Sequence, residues 1–337
     1  MYSEKPKLHV RQKAHKQGNL RTIALDVTSK CNFNCSHCYA ETFSNVDLVD
    51  IETLGRVLQE AYQMGVYHYI LQGGEPLTDP NRLEAIITMI HPDETYINVV
   101  SNGWEMTRDK IKWLKNLKVD KIAFSLDSGI EEEHDLNRRQ GSYARVLEAI
   151  ENVFSEGLLA SISTVVTRES LYSEGFKTAY EFALKKGIRI DVQIAMPVGK
   201  WDGKKDCLIT YEDSKYIKHL QLTCPILSNG QRMISRDIFS GECDHCPAGT
   251  EFMAITANGH VLPCNFLQYS LGSIREKSLG EMRYALLKSN WFDGKHPECI
   301  GGQDCEFIDT FIMPYVGQPK PLDAYKVFNL GVGEQND

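Results

Sequence analysis

The chain reads as an α/β protein: a parallel sheet of six strand–helix units forming an open, three-quarter barrel, followed by a smaller C-terminal α+β unit. Three observations predict it. Six strand-like runs alternate with helix-like stretches between residue 21 and about residue 196, and each helical stretch repeats apolar residues at three- and four-residue spacing. The alternation stops after Met196-Pro197-Val198-Gly199. Strands separated by helices require crossover connections, which are right-handed and leave parallel neighbours.

The strand-like runs are 21–28, 66–71, 96–100, 121–126, 160–166 and 188–194. Between them, Leu54, Val57, Leu58 and Ala61 mark one apolar helix face, and Leu83, Ile86, Ile87 and Ile90 a second. Val146, Leu147, Ile150, Val153 and Phe154 mark a third, and Phe176, Tyr180, Ala183 and Leu184 a fourth. Each spacing gives a helix one stripe to lay on a sheet. Residues 200–210 are polar and rich in glycine, lysine and aspartate, which predicts a loop leaving the barrel, with a helix over 211–222 after it. The run 252–262 alternates and turns at Asn258-Gly259, a hairpin signal, and a helix is expected over 279–287. These readings divide the chain into a lead-in (1–19), the barrel (20–199), a linker with one helix (200–240), the C-terminal unit (241–310) and an extension (311–337).

At 337 residues, 42% hydrophobic and 24% charged, with mean hydropathy -0.32, the composition is that of a soluble globular protein. No run reaches the length of a membrane span, and the first twenty residues lack the apolar core of a secretory signal. A net charge of -8 argues against a nucleic-acid partner held by a general electrostatic footprint. Ten cysteines without a secretory signal point to a reducing compartment, the cytoplasm, where thiolates bind metal.

Cys31-Asn-Phe-Asn-Cys35-Ser-His-Cys38 places three thiols on one short loop after the first strand, with His37 before the last and Tyr39 after it. A four-iron cluster held by cysteine uses four such ligands, so three leave one iron open. Clustered cysteines also suit structural zinc. Gly73-Gly74-Glu75-Pro76-Leu77, directly after the second strand, favours the iron reading, because a zinc finger has no use for a glycine pair at a strand end. The two motifs in this order resemble the radical S-adenosylmethionine (radical SAM) enzymes, whose core is a partial (β/α)6 barrel. The resemblance implies that Cys31, Cys35 and Cys38 hold a [4Fe-4S] cluster whose open iron chelates S-adenosylmethionine, and that Gly73, Gly74, Glu75 and Pro76 receive its amino group. It extends to His37 and Tyr39 beside the cluster. At the later strand ends it implies that Ser101, Asn102 and Ser125 contact ribose or carboxylate and that Val166 lines the adenine. His134-Asp135 with Arg138 and Arg139 resembles a stretch of the same family, although a solvated loop is the simpler reading of those arginines.

A second cysteine group follows: Cys243, Cys246, Cys264, Cys299 and Cys305. The hairpin would bring Cys246 and Cys264 together. The pattern resembles the SPASM/twitch auxiliary-cluster domains of the same superfamily and implies one auxiliary iron-sulfur cluster, of [4Fe-4S] type, on Cys246, Cys264, Cys299 and Cys305. Cys243, Cys246 and Cys264 alone would instead leave a second open site, as in the molybdenum-cofactor cyclase, whose paired C-terminal glycines do not match the ending Glu334-Gln-Asn-Asp337. A zinc site is the remaining reading of this group. Cys207 and Cys224 belong to neither group; buried, inert thiols are their ordinary reading, and hydrogen-atom donation to a substrate radical the sharper one.

The resemblance implies reductive cleavage of S-adenosylmethionine to a 5'-deoxyadenosyl radical, fed by an external one-electron donor such as flavodoxin or ferredoxin. That radical would abstract a hydrogen atom from a peptide or small metabolite for an oxidative tailoring or epimerisation step. A redox-neutral lyase, decarboxylase or cyclase acting on a sugar or nucleoside is the alternative, and a two-cluster electron carrier the non-enzymatic one.

Overall fold

Strand β1 (Thr22–Thr28) is buried along all seven residues, Ile23, Leu25 and Val27 on one face and Ala24 and Asp26 on the other. A strand buried on both faces lies inside a sheet covered on both sides. In this computed structural model, which describes residues 19–44, 46–227, 233–235 and 245–331, β1 is the hinge of a nine-stranded sheet. On one side it pairs in parallel with β2 (His68–Gly73), and the series continues in parallel through β3 (Tyr96–Ser101), β4 (Lys121–Ser125), β5 (Leu159–Val166) and β6 (Arg189–Ile194). The six expected strands are all present, each within two residues of its expected bounds.

The crossovers carry helices, most of which lay an apolar stripe on the outer face. They are α1 (Ile51–Gln63), α2 (Pro80–Met89), α3 (Arg108–Asn116), α4 (Glu131–Asn137), α5 (Ser142–Ser155) and α6 (Glu174–Lys186). Local chemistry sets their starts. The Asp50 side chain accepts from the Thr53 amide at 2.7 Å, and Asp79 caps α2 just before Pro80, whose missing amide suits the first turn. The outward positions form one large core, whereas Ala24, Ile70, Phe252, Ala254 and Leu262 make a small apolar layer inside the barrel.

Two features of the C-terminal third depart from expectation. Residues 200–240 do not simply leave the barrel: after α7 (Tyr211–Thr223), β7 (Ile234–Ser235) returns to pair in parallel with β6. The hairpin of β8 (Phe252–Ile255) and β9 (Val261–Leu262) is antiparallel as expected, but β8 also pairs in parallel with β1, so the hairpin extends the barrel sheet. A small parallel pair, β10 (Tyr269–Ser270) with β11 (Leu322–Asp323), lies outside that sheet. Helix α8 (Leu279–Leu286) is docked on α1 through Glu60, whose carboxylate accepts from the Leu279 and Gly280 amides at 3.0 and 2.9 Å. An acidic side chain there satisfies donors that the first turn of a helix leaves open and complements its dipole.

Candidate active site

All six barrel strands face one cavity of about 270 Å³ through inward positions such as Asp26, Gln72, Val100, Ser125, Ser163 and Gln193. Contribution from every strand means that the sheet curls around the space, as an open barrel does. Cys31, Cys35 and Cys38 line the same cavity, together with His37 and Tyr39. Gly73, Gly74, Glu75, Asn102 and Ser125 line it from the strand ends. Of the expected cofactor contacts, these are the ones that the fold brings together.

The glycine pair serves the cysteine loop directly. A Cβ on Gly74 would stand 2.0 Å from the Lys30 carbonyl oxygen, and one on Gly73, at φ +127, 2.5 Å from that of Thr28. The Gly74 amide donates to the Thr28 carbonyl at 2.9 Å and the Glu75 amide to that of Lys30 at 2.8 Å. Only residues without side chains let the two backbones lie this close. Glu75 turns its carboxylate into the protein, accepting from the Ser101 hydroxyl, the Asn102 amide and the Leu77 amide at 3.0, 2.7 and 3.2 Å. Burial pushes its pKa up to about 7. Its side chain therefore ties the end of β2 to the end of β3.

Three expected contacts lie outside the lining. Ser101 is spent on Glu75, Pro76 opens a buried 3-10 turn, and Val166 points into the outer core while its neighbour Val165 faces the cavity. Strand alternation decides the last case: one residue of offset exchanges the faces.

The reading of Arg138 as part of a solvated loop is corrected. Its side chain is 9% exposed and forms a fork with Asp127, itself 6% exposed, at 2.6 and 3.0 Å. Asp127 also accepts from the Val165 amide at 3.2 Å and lies 3.6 Å from His37 Nε2. The guanidinium holds the Asp127 carboxyl well below its usual range despite burial, and burial lowers the His37 imidazole to about 4, so it is neutral at pH 7. Arg138 Nη1 reaches 3.9 Å from the Cys35 sulfur. Arg139 stacks on Trp104 at 3.9 Å and donates to the Asn32 carbonyl at 3.0 Å. Sequence reasoning missed this pair because an arginine's burial depends on a partner eleven residues away; Asp127 at the end of β4 was the available signal.

The floor is polar. Asp26 is 9% exposed, receives a long 3.4 Å bond from Gln72 Nε2, and is raised to about 7 by burial. Gln193, 8% exposed, has no partner for its Nε2 among the described residues. Burial also raises the three loop thiols, Cys31 to about 11.

Tyr39 links this loop to the second cysteine group. Its ring meets Phe266 at 4.9 Å between centroids, its carbonyl accepts from Gln268 Nε2 at 2.8 Å, and its hydroxyl is bonded by Asn265, the residue after Cys264. Around Cys264, backbone bonds join Gly249 to Pro263, Cys246 to His296, and Asp304 to Cys299, gathering the segments that carry Cys246, Cys264, Cys299 and Cys305. Cys243 lies outside the described residues. Neither Cys207 nor Cys224 lines the cavity. The Cys224 thiol is buried between the Gln221 carbonyl and the Ile234 amide, and that of Cys207 donates to Lys204, so the structure does not place either where a substrate radical would form.

The three loop thiols, all unpaired as disulfides and facing one cavity, fit a cysteine-held iron-sulfur cluster. Residues 25–183 match the model of the radical SAM superfamily, and residues 246–306 that of the SPASM iron-sulfur cluster-binding domain. An AdoMet-dependent heme synthase of Methanosarcina barkeri is 27% identical, covering 78% of this chain and 81% of its own. A GTP 3',8-cyclase of Syntrophomonas wolfei is 26% identical, over 94% and 95%. The sporulation killing factor maturation protein SkfB of Bacillus subtilis is also 26% identical, over 86% and 72%. In fold, the chain superposes on Streptococcus suis SuiB bound to the precursor peptide SuiA with a TM-score of 0.62 at 16% identity, covering 86% of this chain and 70% of that one. Among the described residues no helix is long and apolar enough to cross a membrane. The chain belongs to the radical SAM superfamily, as an enzyme that uses [4Fe-4S] clusters and S-adenosylmethionine and carries a SPASM domain at its C-terminal end.

Proposed function

We propose that Cys31, Cys35 and Cys38 hold the cluster that binds S-adenosylmethionine, and that the substrate is a peptide or another neutral, amide-bearing molecule undergoing oxidative tailoring. When bound, cluster and S-adenosylmethionine supply the 5'-deoxyadenosyl radical that abstracts a hydrogen atom from the substrate. The chain's own share is to orient both ligands and exclude water. Asn102 and Ser125 face the cavity where ribose or carboxylate would lie, and Val165 takes the place expected of Val166. Cys246, Cys264, Cys299 and Cys305 hold one auxiliary cluster, and an external flavodoxin or ferredoxin supplies the electron. The Tyr39–Asn265 contact, running from beside Cys38 toward Cys264, supports a route for an electron leaving the cavity, and hence a net oxidation.

The observation that carries the substrate class is the charge on the cavity wall. Its two cationic side chains among the described residues are already engaged, Arg138 by Asp127 and Lys200 by Asn34 and, at 3.6 Å, by Glu41. Asp26 and Glu41 face the same space. A nucleoside triphosphate needs several uncommitted cations or backbone donors. Asp26, Gln72 and Gln193 suit an amide or hydroxyl instead. The second reading, a nucleotide cyclase, is favoured by the 26% identity to a GTP 3',8-cyclase over 94% of the chain.

The test is anaerobic incubation of reconstituted protein with S-adenosylmethionine and dithionite, alone, with GTP, and with a panel of short synthetic peptides. Deoxyadenosine release is expected in all three, stimulated by a peptide and not by GTP. Stimulation by GTP, with a cyclised product, rejects the amide reading.

A further inference from the structure

Arg138 is the middle member of a three-residue clasp on the cysteine loop. Asn137 accepts from the Ser36 amide through its carbonyl at 2.8 Å and from the Ser36 hydroxyl through Oδ1 at 3.1 Å. Arg139 donates to the Asn32 carbonyl at 3.0 Å. Between them, Arg138 alone is aimed at a sulfur, with Nη1 3.9 Å from Cys35 Sγ. Its Nε and Nη2 are fixed on Asp127, which is itself anchored by the Val165 amide at 3.2 Å, so the fork cannot swing away from the loop.

We infer that Arg138 and Asp127 together set the reduction potential of the cluster on the N-terminal loop, with Arg138 acting through the Cys35 sulfur as a positioning and tuning residue. The inference rests on the reading of Cys31, Cys35 and Cys38 as cluster ligands. Donors to ligand sulfurs, local charge and burial are the levers by which a protein adjusts an iron-sulfur potential. A buried charge acts with little screening, so a cation beside Cys35 favours the more negative, reduced cluster. The carboxylate of Asp127 offsets that cation. Removing either member leaves the charge of the other uncompensated beside the sulfur, and the two removals therefore push the potential in opposite directions.

The experiment is an EPR-monitored redox titration of reconstituted full-length protein without S-adenosylmethionine. The relevant signal is identified afterwards as the one that changes when S-adenosylmethionine is added. Arg138→Gln is expected to lower the equilibrium ratio of reduced to oxidised cluster about tenfold, which is about 59 mV for a one-electron couple. Asp127→Asn is expected to raise it by a similar factor, and Arg138→Lys, which keeps the charge but not the fork, to stay closer to wild type than Arg138→Gln does. Shifts of the same sign in Arg138→Gln and Asp127→Asn overturn the inference. So does an unmoved potential with lowered affinity for S-adenosylmethionine, which assigns Arg138 to the ligand. Should Arg138→Gln lose its cluster, Asp127→Asn decides the matter: a raised ratio of reduced to oxidised cluster upholds the inference, and a lowered or unmoved one overturns it. Absence of any S-adenosylmethionine-responsive cluster in wild type rejects the loop reading and this inference together, whereas a responsive cluster with unmoved potentials rejects the inference alone.

Discussion

Gly199 presses on the carbonyl of Cys38: a Cβ added to Gly199 would stand 2.2 Å from that oxygen and 2.6 Å from the Tyr39 Cα. The adjacent Lys200 amide donates to the same carbonyl at 3.0 Å. Gly199→Ala is expected to displace the last cysteine of the loop and remove most of the iron associated with it, measured as iron and sulfide per chain. Gly187→Ala is the control. Gly187 shares the left-handed backbone, φ +64 against +62, but has open space around it. It should cost about 1–2 kcal/mol of stability and leave iron content unchanged.

Glu60 holds the first turn of α8 against α1 through two amide bonds. Glu60→Ala leaves both donors short of their acceptor, at a cost of about 1–3 kcal/mol. Limited proteolysis should cut near residues 275–287 faster in this variant while the barrel remains resistant. Equal protection of both segments argues against Glu60 as the fastening.

Asp26 gives the protein a pH-dependent stability with a definite sign. Its pKa rises from 3.8 to about 7 on folding, so the folded state holds the proton more tightly. The stabilisation is complete below about pH 4 and is lost as pH rises through 7, with a slope of at most about 1.4 kcal/mol per pH unit. Glu75 contributes in the same direction between its ordinary 4.5 and about 7. Asp26→Asn should flatten this part of the curve in chemical denaturation across pH 4.5 to 7.5; a slope matching wild type rejects the assignment.

Cys207→Ala and Cys224→Ala are expected to keep iron content and deoxyadenosine release within about twofold of wild type, because neither thiol lines the cavity. Cys224→Ala should lower stability by about 1–3 kcal/mol, since its sulfur accepts from the Ile234 amide in a buried setting. A product mixture altered by either substitution restores the hydrogen-donor reading.

The barrel was legible because its strands and most of its helices repeat their apolar residues at the period of the element that they form. Two helices were not. α3 buries only Ile111 and Leu114 among lysines, and the one large apolar residue of α4, Leu136, is 87% exposed, so neither offers a stripe. The cysteine loop and glycine pair were legible as motifs, but the reason for the glycines was not. They accommodate the passing backbone of residues 28–30, a contact set by the sheet. Asp26 carried a readable signal, a lone acid among the apolar residues of β1 at an inward position. The pairing of β8 with β1 joins residues more than two hundred positions apart and has no local period to betray it.

That pairing has a consequence for how the enzyme is made. β1 is synthesised more than two hundred residues before its neighbour β8 and the Asn265, Phe266 and Gln268 groups that embrace Tyr39. At about 5–20 residues per second, the nascent loop waits on the order of ten seconds or more for its outer wall. Metal loading at Cys31, Cys35 and Cys38 is thus expected to follow synthesis of that wall, and a chain stopped at residue 240 to bind iron at that loop weakly and lose it on desalting.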